Sequence, residues 1–178
     1  IPFVDENVTE ITCHGKGAHF INNEIRTIID IGGQDSKAIS IDEKGNVKSF
    51  VMNDKCAAGT GRFLEMIART LEIDLKTMSE EGLSYKEDLT ITSVCSVFAE
   101  SEVVSLIADN KDRKDIIHGV NESIATKTVG LVDRVGRVEK YMMTGGVAKN
   151  KGVVKCIEEK LGTSIFIAKE PQICGALG

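Results

Sequence analysis

The sequence predicts an α/β fold, in which a mixed β-sheet is flanked by helices. Three observations support this prediction. Short β-branched apolar runs alternate with longer segments of helical period, two of the runs end in a pair of glycines, and the first strands follow one another as a meander. Strands mixed with helices in this way favour one layered α/β domain.

Six apolar runs are predicted to form strands. The segment Glu43–Asn46 has the composition of a turn that closes a hairpin, so the first three strands are expected to be antiparallel neighbours. The later runs are separated by helices, which makes the sheet mixed. The predicted strands are residues 27–33, 36–42, 46–53, 89–93, 141–146 and 164–168.

Four segments have the period of an amphipathic helix. In the first, Phe63, Leu64 and Ile67 fall on one face, and in the longest, the charged residues can face water while Ile117 and Ile124 face inward. The last residues, 175–178, have the composition of a further helix start. The predicted helices are residues 60–74, 96–108, 112–135 and 150–161.

The composition is that of an ordinary globular protein. Among 178 residues, 42% are hydrophobic and 28% are charged, which excludes a disordered, collagenous or disulfide-scaffold chain. A net charge of −5 provides no basic field, so we expect neither a nucleic-acid nor a membrane partner. No apolar run reaches the ~18–20 residues of a membrane span, and no signal peptide is evident, so a cytoplasmic location is expected.

The five cysteines are an odd number at irregular spacing. Together with the absence of an export signal, this makes a disulfide framework improbable and leaves reduced thiols or metal ligation. Cys13 with His14 and His19 are interpreted as packing residues, because no complementary ligand pair stands near them in the sequence, and Cys156 and Cys174 are interpreted in the same way. For His118, within the long helix, a catalytic role has no support beyond its residue type.

The first glycine pair belongs to the segment Asp30-Ile-Gly-Gly-Gln-Asp35. Gly32 and Gly33 let backbone N–H groups approach an anion such as the terminal phosphates of a nucleotide. Asp30 is then a candidate to hold Mg²⁺ or its waters, and Gln34 a candidate to orient an attacking water. The alternative is a simple tight turn with Asp30 as its cap.

The second pair, Gly145 and Gly146, again follows an apolar strand and precedes a helix. Glycine at this point lets a flat ring or a sugar lie against the backbone. Neither pair belongs to a Walker A or G-x-G-x-x-G sequence, so the ordinary P-loop and Rossmann interpretations fail.

Cys56 and Cys95 are each predicted to lie just before a helix. A helix N-terminus favours thiolate and anionic sulfide, because its N–H groups are unpaired and its dipole end is positive. A 4Fe-4S cluster ordinarily takes four thiolates, so an identical subunit would supply the other two and the site would require a homodimer. The alternative is that both are buried structural thiols; without a C-x-x-C, a self-contained zinc site is not favoured.

Taken together, these residues resemble the ATP-dependent activators of 2-hydroxyacyl-CoA dehydratases, also called archerases or component I, and their benzoyl-CoA reductase ATPase relatives. The two cysteine segments are the specific part of the resemblance, since the wider acetate and sugar kinase, Hsp70 and actin superfamily shares only the glycine loops. The matching segments are residues 30–37, 53–64, 95–103, 143–150 and 175–178.

The resemblance implies an actin-like, ribonuclease H-like fold and a homodimer that holds one 4Fe-4S cluster through Cys56 and Cys95 of each subunit. It also implies ATP or ADP with Mg²⁺ in each subunit, with residues 30–34 as a phosphate loop and Gly145-Gly146 as the adenosine loop. A reduced ferredoxin or flavodoxin would load one electron, and ATP hydrolysis would drive that electron to a dehydratase or related reductase.

The resemblance also implies a domain division. Residues 1–178 are expected to form a partial actin-like ATPase domain. Within it, residues 1–26 would lead from an N-terminal subdomain with an Asp-x-Gly-Ser/Thr hairpin, which is not found in the sequence, and residues 27–178 would bear the cluster and the nucleotide. The chain is thus expected to be a fragment with incomplete ATPase machinery.

Three other functions stay open at this point. One is a benzoyl-CoA reductase-type ATPase subunit, in which a second kind of subunit replaces the homodimer. Another is a small-molecule kinase of the same superfamily, with incidental cysteines. The third is a redox-sensing or metal-binding dimer that uses the fold as a scaffold.

Overall fold

A computed structural model describes residues 7–92 and 95–178 of the chain. Its centre is a sheet of five strands: β1 Thr27–Ile31, β2 Ser36–Ile41, β3 Val47–Asn53, β4 Tyr141–Thr144 and β5 Ile165–Ile167. Their order in the sheet is β3-β2-β1-β4-β5. Strands β1, β2 and β3 are antiparallel neighbours, whereas β4 and β5 run parallel to β1.

The expected mixed sheet, with a meander first and parallel strands later, is confirmed. The turn between β2 and β3 forms because the Asp42 carboxylate accepts hydrogen bonds from the backbone N–H groups of Lys44 and Asn46, both at 2.8 Å. Gly45 adopts a φ of +74° in this turn, where a β-carbon would collide with His19.

Helices cover both faces of the sheet. These helices are α1 Glu10–Ile21, α2 Gly61–Thr70, α3 Leu75–Glu81, α4 Ser96–Ala108, α5 Arg113–Val135, α6 Lys151–Leu161 and α7 Cys174–Leu177. Alternate side chains of β1 enter different cores: Ile29 and Ile31 face the larger one, with α2, α5 and α6, and Ile28 faces a smaller one, with α1 and α7. Within the described ranges, no helix has both the length and the apolar character needed to cross a bilayer.

Two helices were not expected from the sequence. Helix α1 contains Gly15 and Gly17, which weaken its local signal, but a β-carbon at Gly17 would lie 1.9 Å from the Cys174 carbonyl oxygen. The glycine therefore permits close contact between α1 and α7. Helix α3 is only seven residues long. It follows the N-cap residue Asp74, whose carboxylate accepts a hydrogen bond from the Thr77 N–H at 2.6 Å.

The strand expected at residues 89–93 is wrong for its described part, residues 89–92, which pair with no other strand; Ser93 lies outside the described residues. Leu89 and Ile91 are nevertheless buried in the larger core. A β-carbon at Gly119 of α5 would lie 2.5 Å from the Leu89 carbonyl oxygen, so this segment packs its backbone directly on the helix. Burial against a helix produced the apolar alternation that resembled a strand.

The larger core should be sensitive to loss of volume on α5. Ile124 is fully buried in it, so Ile124→Ala is expected to lower the free energy of unfolding by about 2–5 kcal/mol through lost contacts and a residual cavity. Val138 is 43% exposed, and Val138→Ala should leave the stability close to native. Urea denaturation of both variants measures the difference, and equal losses would contradict this placement of the core.

Candidate nucleotide cleft and cysteine pair

A cleft of about 840 Å³ opens beyond the C-terminal ends of β1 and β4. These two strands are parallel neighbours, with Asp30 paired to Thr144, so the loops that follow them emerge at the same edge of the sheet. Of the residues that the sequence singled out, five line the cleft together: Asp30, Gly32, Gly33, Gly145 and Gly146.

The glycines of this cleft meet different constraints. Gly145 has a φ of +83°, and a β-carbon there would lie 2.3 Å from the Ile31 carbonyl oxygen, so the β4 loop can pack on β1 only with glycine. A β-carbon at Gly33 would meet nothing within 4 Å. Gly33 therefore leaves its backbone open to a ligand, as a phosphate loop requires.

The Asp30 carboxylate is buried and has a partner for each oxygen. The Thr144 hydroxyl donates to Oδ1 at 2.7 Å, and the Lys37 ammonium donates to Oδ2 at 3.3 Å. Asp30 lies directly opposite Lys37 in the antiparallel pairing of β1 and β2. The expected antiparallel pairing of these two strands therefore places the two residues opposite each other, although the ion pair itself was not predicted from the sequence.

Lys37 is the centre of a cluster of carboxylates at the cleft wall. Only 2% of its side chain is exposed, and its Nζ lies 2.9 Å from both Glu10 Oε1 and Asp35 Oδ2. Burial lowers the pKa of this ammonium, but the hydrogen bonds to Glu10 and Asp35 and the charge of Asp30 raise it more, and the net shift is upward. Lys37 therefore stays charged and compensates part of the negative charge of these carboxylates.

Glu10 and His14 of α1 complete this wall. His14 Nε2 lies 3.5 Å from Glu10 Oε1 and 3.8 Å from Asp30 Oδ2, so a residue interpreted from the sequence as packing belongs to the cleft. The ligand atoms of Glu10, His14 and Asp30 all lie within 4.8 Å of one another. Two of these ligand atoms are carboxylate oxygens, of the kind that Mg²⁺ prefers, and the third is an imidazole nitrogen. The Lys37 ammonium already contacts both carboxylates, so a Mg²⁺ ion that keeps several waters fits this wall better than one bound directly by all three groups.

The predicted water-orienting residue Gln34 is exposed on the loop between β1 and β2 and is not part of the cleft wall. Its proposed role stays a prediction. Three lysines also line the cleft: Lys76 on α3, Lys151 on α6, and Lys149, whose Nζ donates to Gln172 Oε1 at 2.7 Å. They bring positive charge that can attract an anionic ligand, although Glu65 and Glu80 line the same cleft.

The two candidate cluster ligands occupy different kinds of position. Cys95 is exposed and is the N-cap of α4, as expected. Cys56 is not at a helix N-terminus, because α2 begins only at Gly61 after the N-cap Thr60. Instead, Cys56 lies in the loop after β3, where the Asn53 side chain accepts from its N–H at 3.3 Å and donates to its carbonyl oxygen at 3.1 Å.

Both cysteines also influence one basic group electrostatically. Burial lowers the pKa of the Lys127 ammonium on α5, and negative charge at Cys56 and at Cys95 opposes that shift without cancelling it. Cys56 is partly exposed and Cys95 is exposed. Two such cysteines are one half of the four that a 4Fe-4S cluster ordinarily takes.

Cys156 and Cys174 are unsuited to ligation. Both are buried, and burial, with help from Glu122 and Asp30 respectively, raises their pKa values to about 12 and about 11. They remain neutral thiols within the cores, as the sequence interpretation expected.

The cleft and the Cys56 loop meet at the N-terminus of α2. The Gly61 N–H donates to the Gly32 carbonyl oxygen at 2.8 Å, and the Arg62 N–H donates to the Gly33 carbonyl oxygen at 3.0 Å. Gly61 also lines the cleft, and a β-carbon there would lie 3.2 Å from the Gly32 oxygen. The candidate phosphate loop is therefore bonded directly to the helix that follows Cys56.

The fold and this arrangement agree with a match of residues 2–178 to one protein family. The chain belongs to the BadF/BadG/BcrA/BcrD ATPase family. Its fold is that of the actin-like ATPases, as the resemblance implied.

Among its relatives, an activator of lactoyl-CoA dehydratase from Anaerotignum propionicum is 51% identical over 98% of this chain and 67% of its own length. The activator of the 2-hydroxyisocaproyl-CoA dehydratase from Clostridium difficile, solved with bound ADPNP, matches with a TM-score of 0.93 at 42% identity, over 98% of this chain and 65% of that one.

Component A of the (R)-2-hydroxyglutaryl-CoA dehydratase from Acidaminococcus fermentans matches with a TM-score of 0.94 at 46% identity, over 98% of this chain and 67% of that one. The chain thus spans about two thirds of the length of these relatives.

The ion pairs of Lys37 with the surrounding carboxylates yield a prediction for stability. Lys37→Met leaves Asp30 buried without its cation, so we expect the free energy of unfolding to fall by about 2–3 kcal/mol. The matched control is Lys111→Met, because Lys111 pairs with Glu87 at the surface and its removal should leave the stability close to native. If urea denaturation gives both variants the same stability, Lys37 does not compensate the carboxylates.

The burial of the thiols yields a prediction for reactivity. Iodoacetamide attacks the thiolate, so at mildly alkaline pH it should modify Cys95 first and leave Cys156 and Cys174, with pKa values of about 12 and about 11, unmodified. Mass spectrometry of the digested protein identifies the modified residues. In denaturant all three should react, and rapid labelling of Cys156 in the native protein would contradict its burial.

Proposed function

We propose that this chain belongs to an ATP-dependent reductive activator that delivers a low-potential electron to a 2-hydroxyacyl-CoA dehydratase in the cytoplasm. Two copies would hold one 4Fe-4S cluster through Cys56 and Cys95 of each, and each copy would bind ATP and Mg²⁺ in the cleft at Asp30. A reduced ferredoxin or flavodoxin would supply the electron.

The observation that carries this proposal is the position of α2 between the two candidate sites. Its first N–H groups are bonded to the carbonyl oxygens of Gly32 and Gly33, and the same helix directly follows the Cys56 loop. A change in the phosphate loop therefore displaces the start of α2 and, with it, the Cys56 side of the cysteine pair. A kinase with incidental cysteines has no need of this link.

A second contact extends the path to Cys95. The Thr70 hydroxyl at the end of α2 donates to Glu100 Oε1 of α4 at 3.0 Å, and α4 begins directly after Cys95. Helix α2 is thus bonded to the nucleotide cleft at one end and to the Cys95 helix at the other. Two arrangements of α2, favoured by different nucleotides, would couple the state of the cleft to both cysteines.

The surface beside Cys95 supports a second copy as the source of the other two thiolates. Helix α4 exposes several apolar side chains, a feature more typical of an interface than of a monomer surface. A two-fold axis through this region brings two identical pairs of cysteines together and needs no other ligand. The exposed side chains are Val97, 62% exposed, Phe98, 69%, Val104, 51%, and Ile107, 41%.

The choice of partner rests on the relatives. Three similar proteins, at 42–51% identity, are named as activators or activating components of 2-hydroxyacyl-CoA dehydratases. One of them was solved with an ATP analogue. These names favour a dehydratase over a benzoyl-CoA reductase as the acceptor of the electron.

The candidate residues of the cleft each have a defined part in this proposal. The backbone of Gly32 and Gly33 would hold the phosphates, Asp30 would hold Mg²⁺ or its waters, and Gly145 with Gly146 would leave room for the nucleoside. When bound, the cluster supplies a site for one electron at a potential set by its charge, hydrogen bonds and exposure.

The test is the iron and acid-labile sulfide content of anaerobically purified protein, together with its oligomeric mass. A shared cluster predicts about two irons per chain in a dimer, and their loss in Cys56→Ala and in Cys95→Ala. Cys13→Ala is the matched control, because this partly exposed cysteine should not affect the iron content.

A folded, anaerobic sample without iron would overturn the activator proposal for this chain. It would leave the cleft as that of a kinase-like ATPase. Iron that survives both cysteine variants would instead place the cluster elsewhere and remove the argument for a shared site.

A further inference from the structure

Asn53, the last residue of β3, holds both main-chain polar groups of Cys56 with one side-chain amide. The Cys56 N–H donates to Asn53 Oδ1 at 3.3 Å, and Asn53 Nδ2 donates to the Cys56 carbonyl oxygen at 3.1 Å. A backbone N–H can only donate and a carbonyl oxygen can only accept, so the side chain must offer one acceptor and one donor. Aspartate and leucine have a similar shape, but aspartate lacks the donor and leucine lacks both groups.

The rest of the Cys56 loop, residues 54–60, is closed by a second side chain. The Thr60 hydroxyl donates to the Ala57 carbonyl oxygen at 2.7 Å, and the Thr60 N–H donates to the same oxygen at 3.0 Å. Thr60 is fully buried. The main chain around Cys56 is therefore held by Asn53 before the loop and by Thr60 at its end.

Both ends of this loop are also joined to the candidate phosphate loop. Asn53 pairs with Ser36 in the antiparallel register of β2 and β3, and Ser36 begins β2 directly after the loop that carries Gly32. At the other end, the Gly61 N–H donates to the Gly32 carbonyl oxygen at 2.8 Å. The main chain of Cys56 is thus fixed relative to the cleft by contacts at both ends of its loop.

We infer that Asn53 is a positioning residue whose amide fixes the main chain of Cys56 and so places its sulfur for ligation of a cluster. The inference deepens the proposed function and rests on it for the cluster. The two hydrogen bonds are properties of the metal-free chain and can be measured without iron.

The physical reason is that folding has already ordered this ligand before any metal binds. Fixing a mobile residue costs conformational entropy at the moment of binding, and Asn53 removes that cost for Cys56. A thiolate that dissociates from iron also stays nearby, because its main chain cannot move away. The amide is only partly buried, so its loss should make iron leave more easily without weakening the fold as a whole.

The first test measures amide hydrogen exchange in the metal-free chain by nuclear magnetic resonance. Asn53→Leu should lower the protection of the Cys56 N–H about tenfold, because it removes the acceptor. Asn53→Asp keeps an acceptor and should keep most of this protection. The N–H groups of Gly61 and Ala99 are internal references, since each has an acceptor other than Asn53.

An unchanged protection of the Cys56 N–H in a folded Asn53→Leu chain would overturn the inference, whether or not the chain binds iron. An equal loss at Cys56, Gly61 and Ala99 would also contradict it, because Asn53 would then stabilise the fold in general. Asn23→Leu is the matched control, since Asn23 is exposed in the turn between α1 and β1 and its loss should change none of the three.

The second test uses the cluster-loaded protein, a chelator of ferrous iron and electron paramagnetic resonance of the reduced cluster. Asn53→Leu should release iron about tenfold faster than the native protein, and its spectrum should broaden, because one ligand is no longer fixed. Asn23→Leu should match the native protein. Complete loss of iron from an Asn53→Leu chain whose thermal unfolding is native-like supports the same role, and equal release rates would contradict it.

The two tests separate the two ways of being wrong. A chain that shows the exchange effect but never binds iron keeps the hydrogen bonds of Asn53 to Cys56 and refutes the proposed activator. A chain that binds iron at Cys56 and Cys95 but shows neither effect keeps the activator and refutes the role of Asn53.

Discussion

The parallel pairing of β1 with β4 is the constraint on which the rest of the site depends. It places Asp30 beside Thr144 and makes the two glycine loops leave the sheet at one edge. The pairing is possible at this distance because Gly145 has no side chain to collide with the Ile31 carbonyl oxygen. The two glycine loops are more than a hundred residues apart in the chain. Without the close packing of the β4 loop on β1, they would not face one ligand.

Helix α2 connects the cleft with the elements next to Cys56 and Cys95. A helix begins with N–H groups that have no partner within the helix, and here two of them are satisfied by carbonyl oxygens of the candidate phosphate loop. The same helix is joined to α4 through Thr70 and Glu100. The ends of one short helix therefore connect the nucleotide cleft with the segments that carry both cysteines.

One buried lysine sets the electrostatics of the cleft. Lys37 is surrounded by carboxylates from α1, from β1 and from the loop between β1 and β2. Burial lowers the pKa of its ammonium, but these anionic groups raise it more, so the cation persists at the cleft wall.

The sequence by itself determined the mixed sheet, the long helices and the glycines of the cleft, because local apolar period and glycine pairs report directly on strands, helices and turns. Helix α1 was not predicted, because Gly15 and Gly17 weaken its local signal and are explained only by the close approach of other elements. Residues 89–92 were wrongly predicted as a strand, because their apolar alternation comes from packing on α5. Cys56 was also predicted to lie at a helix start, although α2 begins later. The approach of Glu10 and His14 to Lys37 and Asp30 was decided only by the tertiary structure, because the fold, and not the sequence order, brings α1 to this edge of the sheet.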